Sequence, residues 1–172
     1  METDAADIEG LLEQLTDVLS DHCSAYRDLS VLLSAQTEAL QKNDLSELSL
    51  LLRSQEELVS GITASEERRK GIQSQLAEKL QVRENLPLSE LLEMPGLPEG
   101  PGQRLSRLRE NLVELTEQVR ELNQENHELV QQALKFIGFS LDGLKSLAAG
   151  PDTYAGEDED GISNSLMMDK KM

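Results

Sequence analysis

The placement of proline constrains this chain more than any other feature. Pro87, Pro95, Pro98 and Pro101 fall in one window, and Pro151 follows Gly150. Because proline removes a backbone donor and clashes with the preceding turn, three long stretches remain free to be helical, and each carries a period. From about Asp7 to Lys42, the positions Ile8, Leu12, Leu15, Leu19, His22, Tyr26, Leu29, Leu33, Gln36 and Leu40 step by alternating fours and threes. That is the seven-residue repeat of helices packed side by side. A second line, Leu11, Val18, Ala25, Leu32 and Ala39, widens the stripe, so this helix expects more than one neighbour.

Asn43 and Asp44 interrupt the register, and Asp44 with Glu47 has the form of an N-cap and its reciprocal partner. A tight turn is predicted there. The second helix, about Leu45 to Arg83, carries Leu48, Leu52, Gln55, Val59, Ile62, Arg69, Ile72, Leu76 and Leu80, with a polar middle from Ser65 to Arg69 where the seam should be weakest. Residues 84 to 103 contain Pro-Gly-Leu-Pro-Glu-Gly-Pro-Gly, which reads as a connecting loop; before that run, Pro87 to Glu93 has room for one or two helical turns with Ser89 as cap. The third helix is the most regular, with Leu105, Leu108, Leu112, Leu115, Val119, Leu122, Asn126, Leu129, Ala133, Phe136, Ser140, Gly143 and Leu147 in its seam. Three helices of comparable length, joined by a tight turn and a longer loop, predict an all-α fold: an elongated antiparallel three-helix bundle or coiled coil over residues 1–150. Residues 151–172, with four successive acids from Glu157 to Asp160, read as a flexible, disordered acidic tail.

Composition then narrows the partners. Only 38% of the chain is apolar and 2% aromatic, thin stock for a globular core. With 33 acidic against 16 basic side chains the formal charge is -17, a field that repels nucleic-acid phosphates and anionic lipid heads. Partners are therefore expected to be proteins, with no nucleic acid and no membrane insertion, since no run of about 18 apolar residues occurs. The N-terminus has no basic region followed by an apolar run, and Cys23 is the only cysteine. Both features fit a cytoplasmic location.

Nothing in the pattern predicts catalysis. His22 and His127 are far apart and neither has a second ligand at helical spacing, so no metal is expected. His22 falls at a seam position and reads as a core histidine bonded to a polar neighbour. Cys23 has no base at helical spacing, and the Pro-Gly segment lacks the lysine of a phosphate-binding loop. No cofactor is called for.

Two features rise above this background. Asn126 replaces an apolar residue at a seam position, where a buried amide fixes register or oligomer state; a partly exposed amide is the other reading. From Leu129 onward, Val130, Leu134, Ile137, Leu141 and Leu144 form a second apolar line beside the first, and both phenylalanines, Phe136 and Phe139, lie here. A band too wide for two neighbours invites a further helix, the groove mode of recognition, unless Leu88 to Met94 or Ile162 to Met168 covers it.

The segment Leu122-Asn123-Gln124-Glu125-Asn126-His127-Glu128-Leu129-Val130, continuing through Leu134, Phe136 and Ile137, resembles the signature of the FlgN family, in which an Asn-x-x-Asn pair precedes a Leu-rich helix end. Glu38-Ala39-Leu40, Asp44, Leu48, Gln55-Glu56, Leu58 and Glu66 to Arg69 resemble the family's first turn and second helix, and Thr153-Tyr154 its tail. The resemblance covers about residues 38 to 155. It implies a non-enzymatic bacterial export chaperone for the hook-filament junction proteins, hook-associated proteins 1 and 3. The client's C-terminal helical segment would be held by Val130, Leu134, Ile137, Phe139, Leu141 and Leu144, with Asn123 and Asn126 as polar core. Components of the flagellar type III export gate are implied as further partners, and the wide stripes leave room for a homodimer. A structural coiled-coil subunit or tether of a larger assembly is the competing reading.

Overall fold

The computed structural model describes residues 2–83, 86–94 and 99–148. Among them there are four helices and no strand: α1 Glu2–Lys42, α2 Leu45–Leu80, α3 Leu88–Leu92 and α4 Glu99–Ala148. The chain divides into two compact units, residues 1–132 and residues 133–172.

Local chemistry explains the breaks. Asn43 adopts φ 55°, the left-handed conformation that asparagine tolerates better than most residues. Asp44 then caps α2, its Oδ1 accepting from the Glu47 N–H at 3.0 Å. At the far end of α2, Gln81 also has φ 55°, and the Val82 N–H reaches the Ala77 carbonyl at 2.9 Å, the 6→1 bond that closes a helix end.

The path between α2 and α4 contains the expected short helical turn, α3, and differs from the expectation in two details. Residues 99–103, read as loop, form the first turn of α4. Pro101 is tolerated there because a first-turn residue has no intrahelical partner for an N–H in any case. Ser89, read as a cap, lies inside α3, whose N-cap is Pro87 with no side-chain bond. This five-residue helix is held by packing instead: Leu91 is only 2% exposed.

The core of the first unit joins all four helices. Leu11, Leu12, Leu15, Val18 and Leu19 of α1 meet Ile72 and Leu76 of α2, Leu91 of α3 and Leu105 of α4. These are the seam positions and the second line beside them, which is why one helix can serve several neighbours. Further along, polar bonds fix the pairing. Asp7 meets Lys79 at 2.8 Å and Gln36 accepts from Gln55 Nε2 at 2.8 Å, tying α1 to α2. Between α1 and α4, Glu13 lies 3.9 Å from Arg104, Cys23 Sγ donates to the Leu108 carbonyl at 3.6 Å, and Asn126 bonds to Leu33. The ion pairs are exposed, so each contributes at most about 1 kcal/mol; the buried leucines carry the stability.

Candidate binding surface

Among the described residues Asn126, His22 and Ser30 are the buried polar groups, and the first two bear on the packing between helices. Asn126 is 2% exposed. Its Nδ2 donates to the Leu33 carbonyl at 2.9 Å, and its Oδ1 accepts from Thr37 Oγ1 at 2.7 Å. Both ends of the amide are satisfied across the α1–α4 seam, so a register shift there would leave it unpaired, at a cost of about 1–3 kcal/mol. Asn126 is thus buried at its seam position and bonded on both sides of its amide. Asn123, expected beside it, is exposed: the seam reaches Asn126 by a step of four from Leu122, which leaves Asn123 one position off it.

His22 is the second, 3% exposed. Its Nε2 is buried with no hydrogen-bond partner, contrary to the expectation of a bonded core histidine. Burial holds its imidazole below the ordinary range, with Glu66 and Asp21 opposing and Arg69 reinforcing. Across the seam, Arg69 grips Glu66 with Nε and Nη2 at 2.8 and 2.7 Å and passes Nη1 to Gln73 at 2.5 Å. Gln73 in turn donates to the Leu86 carbonyl, so the polar middle of α2 anchors the segment that leads into α3.

The sign of the pH dependence follows. A histidine depressed in the folded state takes up its proton more readily when unfolded, so stability is lost as pH falls below the unfolded value near 6.5. We predict that His22→Leu, which removes the unpartnered nitrogen, raises stability at pH 7 by about 1 kcal/mol or more. The same variant should flatten the pH dependence between 7 and 5.5. Urea unfolding at both pH values checks this; an unchanged slope would assign the dependence to other groups.

The exposed surface lies in α4. Up to residue 129 the seam positions are the shielded ones: Leu105 is buried and Leu108, Leu112, Leu115, Val119, Leu122 and Leu129 are half-buried. Val130 is half-buried as well. Through the helical part of the second unit the shielding stops. Leu134, Ile137, Leu141 and Leu144 are 51–63% exposed, and Phe136, Phe139 and Leu147 are 74–80% exposed. Phe136 and Leu147, read as seam residues, are therefore uncovered too, and the two lines merge into one face. At about 100° per residue, Phe136, Leu147, Leu144, Ile137, Leu141 and Leu134 fall within an arc of about 160°, and Phe139 lies about 60° beyond its Phe136 edge. The opposite side carries Lys135, Asp142 and Ser146, while Lys145 flanks the Leu134 edge of the arc, about 20° beyond it.

Of the expected client-binding residues, α4 thus sets Leu134, Ile137, Leu141 and Leu144 on one open face, leaves Phe139 exposed outside that face, and half-buries Val130. The exposure of Phe136 and Leu147 had a signal in the sequence. Ser140 and Gly143 occupy the seam between Phe136 and Leu147, and neither fills a helix interface. The segment Leu88 to Met94, named as one candidate cover, belongs to the first unit, where Leu91 packs in the core with Leu105; Ile162 to Met168 lies outside the described residues.

Among the described residues no group of His, Cys, Asp or Glu is placed to hold a metal, and no helix is long and apolar enough to cross a membrane. What they present is a helical protein with one amphipathic helix end open for contact. The family model described as FlgN protein matches residues 1–159, and the chain belongs to the FlgN family. That family's role is flagellar export chaperoning, with flagellar hook-associated proteins as clients. No curated protein and no solved structure matches the chain.

Proposed function

We propose that this protein is a cytoplasmic flagellar type III export chaperone that holds the C-terminal helical segments of hook-associated proteins 1 and 3. It would prevent their premature assembly and deliver them to the export gate. The observation that carries this reading is the uncovered apolar face from Leu134 to Leu147, at least half exposed at each large side chain. Such a face is costly in water, at about 25 cal/mol per Å², and a partner's amphipathic helix would cover it. No bond need be made or broken: client binding draws on apolar burial, and release follows when the export machinery competes for the same segment.

In this reading α1, α2 and the part of α4 up to residue 132 form an antiparallel three-helix bundle. The pairings Asp7 with Lys79 and Gln36 with Gln55 support opposed directions for α1 and α2. Glu13 with Arg104 and Leu33 with Asn126 support a common direction for α1 and α4. Such a bundle closes its own core and leaves the helix end free for a reversible client. The test is co-purification and calorimetry with peptides spanning the C-terminal helices of the two hook-associated proteins. The expected result is saturable one-to-one binding with a negative heat-capacity change. An absence of heat, together with a chain that folds only as an obligate complex, would favour a structural subunit instead.

A further inference from the structure

We infer that the chain's own C-terminal segment Ile162–Met168 docks on the apolar face of α4 between Leu134 and Leu147, and so competes with the client for it. The inference rests on the function proposed above and concerns how the same face is kept while empty.

Three observations select this occupant. The first is composition. After Ala148 the chain is rich in Gly, Asp and Glu, yet Ile162, Leu166, Met167 and Met168 gather in seven residues. Ile162 and Leu166 stand four apart, the spacing that puts two side chains on one helix face. A purely solvating tail has no use for such a cluster.

The second is reach. Gly150-Pro151 disfavours continuation of α4, and Ile162 comes fourteen residues after Ala148. By the scaling of Gly-rich chains, about 5–6 Å times the square root of the residue number, a stretch of that length reaches roughly 20 Å, and the repulsion of four successive acids extends it. The face from Leu134 to Leu147 is itself about 20 Å long. A match between spacer and span places the segment near its optimum effective concentration, in the millimolar range.

The third is charge. Within 133–148 the charged residues are Lys135, Lys145 and Asp142, a net +1 in a chain of formal charge -17. The spacer carries Glu157, Asp158, Glu159 and Asp160 immediately before the apolar cluster. Folding back would bring those acids toward Lys145, which flanks the Leu134 edge of the face, and toward Lys135 on the polar side of the same helix end. A tethered competitor of this kind shields the face from non-clients and still yields to a longer client helix.

The experiment compares the full-length chain with the variant Ile162→Ser, Leu166→Ser, Met167→Ser. Amide hydrogen exchange over residues 133–147 is measured without client, and a peptide of the hook-associated protein C-terminal helix is titrated by calorimetry. The docked segment predicts faster exchange over 133–147 in the variant and a client affinity about three- to tenfold higher. Unchanged exchange with intact client binding overturns the docking and leaves the chaperone reading standing. Exchange that responds to the substitutions while neither protein binds the peptide supports the docking and sinks the client assignment instead. Protection that grows with protein concentration assigns the cover to a second copy and overturns the proposal, as does a client affinity that falls in the variant.

Discussion

Replacing Ile137 and Leu141 together with glutamate is expected to abolish measurable client binding while leaving the fold intact. Both side chains are about half exposed, at 52% and 51%, so they contribute little to the free protein. In a complex each would be buried, at about 1.5–3 kcal/mol apiece. Losing two weakens a client by roughly two to four factors of ten before counting a carboxylate buried against apolar surface. Calorimetry with the client peptide and a melting curve on each protein separate the outcomes. Undiminished affinity would move the site elsewhere on the chain, and a lowered melting midpoint would mean that these residues already hold the fold together.

The converse substitution has the larger effect on stability. Leu15 and Leu105 are fully buried where α1 and α4 meet the core leucines. Leu→Ala at such a site costs about 2–5 kcal/mol, because the cavity adds to the lost transfer energy. A domain of this size is stable by about 5–15 kcal/mol, so the double variant Leu15→Ala, Leu105→Ala should lose its cooperative unfolding transition or melt well below the parent. Thermal unfolding followed by circular dichroism checks it. A midpoint within a few degrees of the parent would show that the α1–α4 leucines are not the centre of the core.

The contrast between these two variants shows what the sequence made legible. The seven-residue repeat placed Leu12, Leu15, Leu19, Leu76 and Leu105 correctly in the core, because a period sustained over that many turns keeps one side of a helix apolar and burial follows. The turn at Asn43 and Asp44 was equally plain, since both residues have side-chain chemistry that ends one helix and starts the next. Less legible was the start of α4. The Pro-Gly run looked incompatible with a helix, yet Pro101 is harmless in a first turn and the helix begins at Glu99. The repeat also misled at its far end. It continues through Phe136 and Leu147 as though a neighbour were present, but spacing records the period of a face and not whether anything covers it. His22 illustrates the same limit at a single residue. Its seam position announced burial, whereas the missing partner for Nε2 depends on where Glu66 and Arg69 turn, toward each other and Gln73.

The central claim is that the client sits on the end of α4. The most direct measurement is amide hydrogen exchange of the full chain with and without a saturating hook-associated protein C-terminal peptide, resolved along the sequence. Slowed exchange concentrated in residues 133–147, with α1 and α2 unchanged, is the predicted result. The open groove between α1 and α2 lined by Val31, Leu32 and Leu58 offers the alternative. Protection there, with residues 133–147 exchanging as fast as in the free protein, would contradict the account.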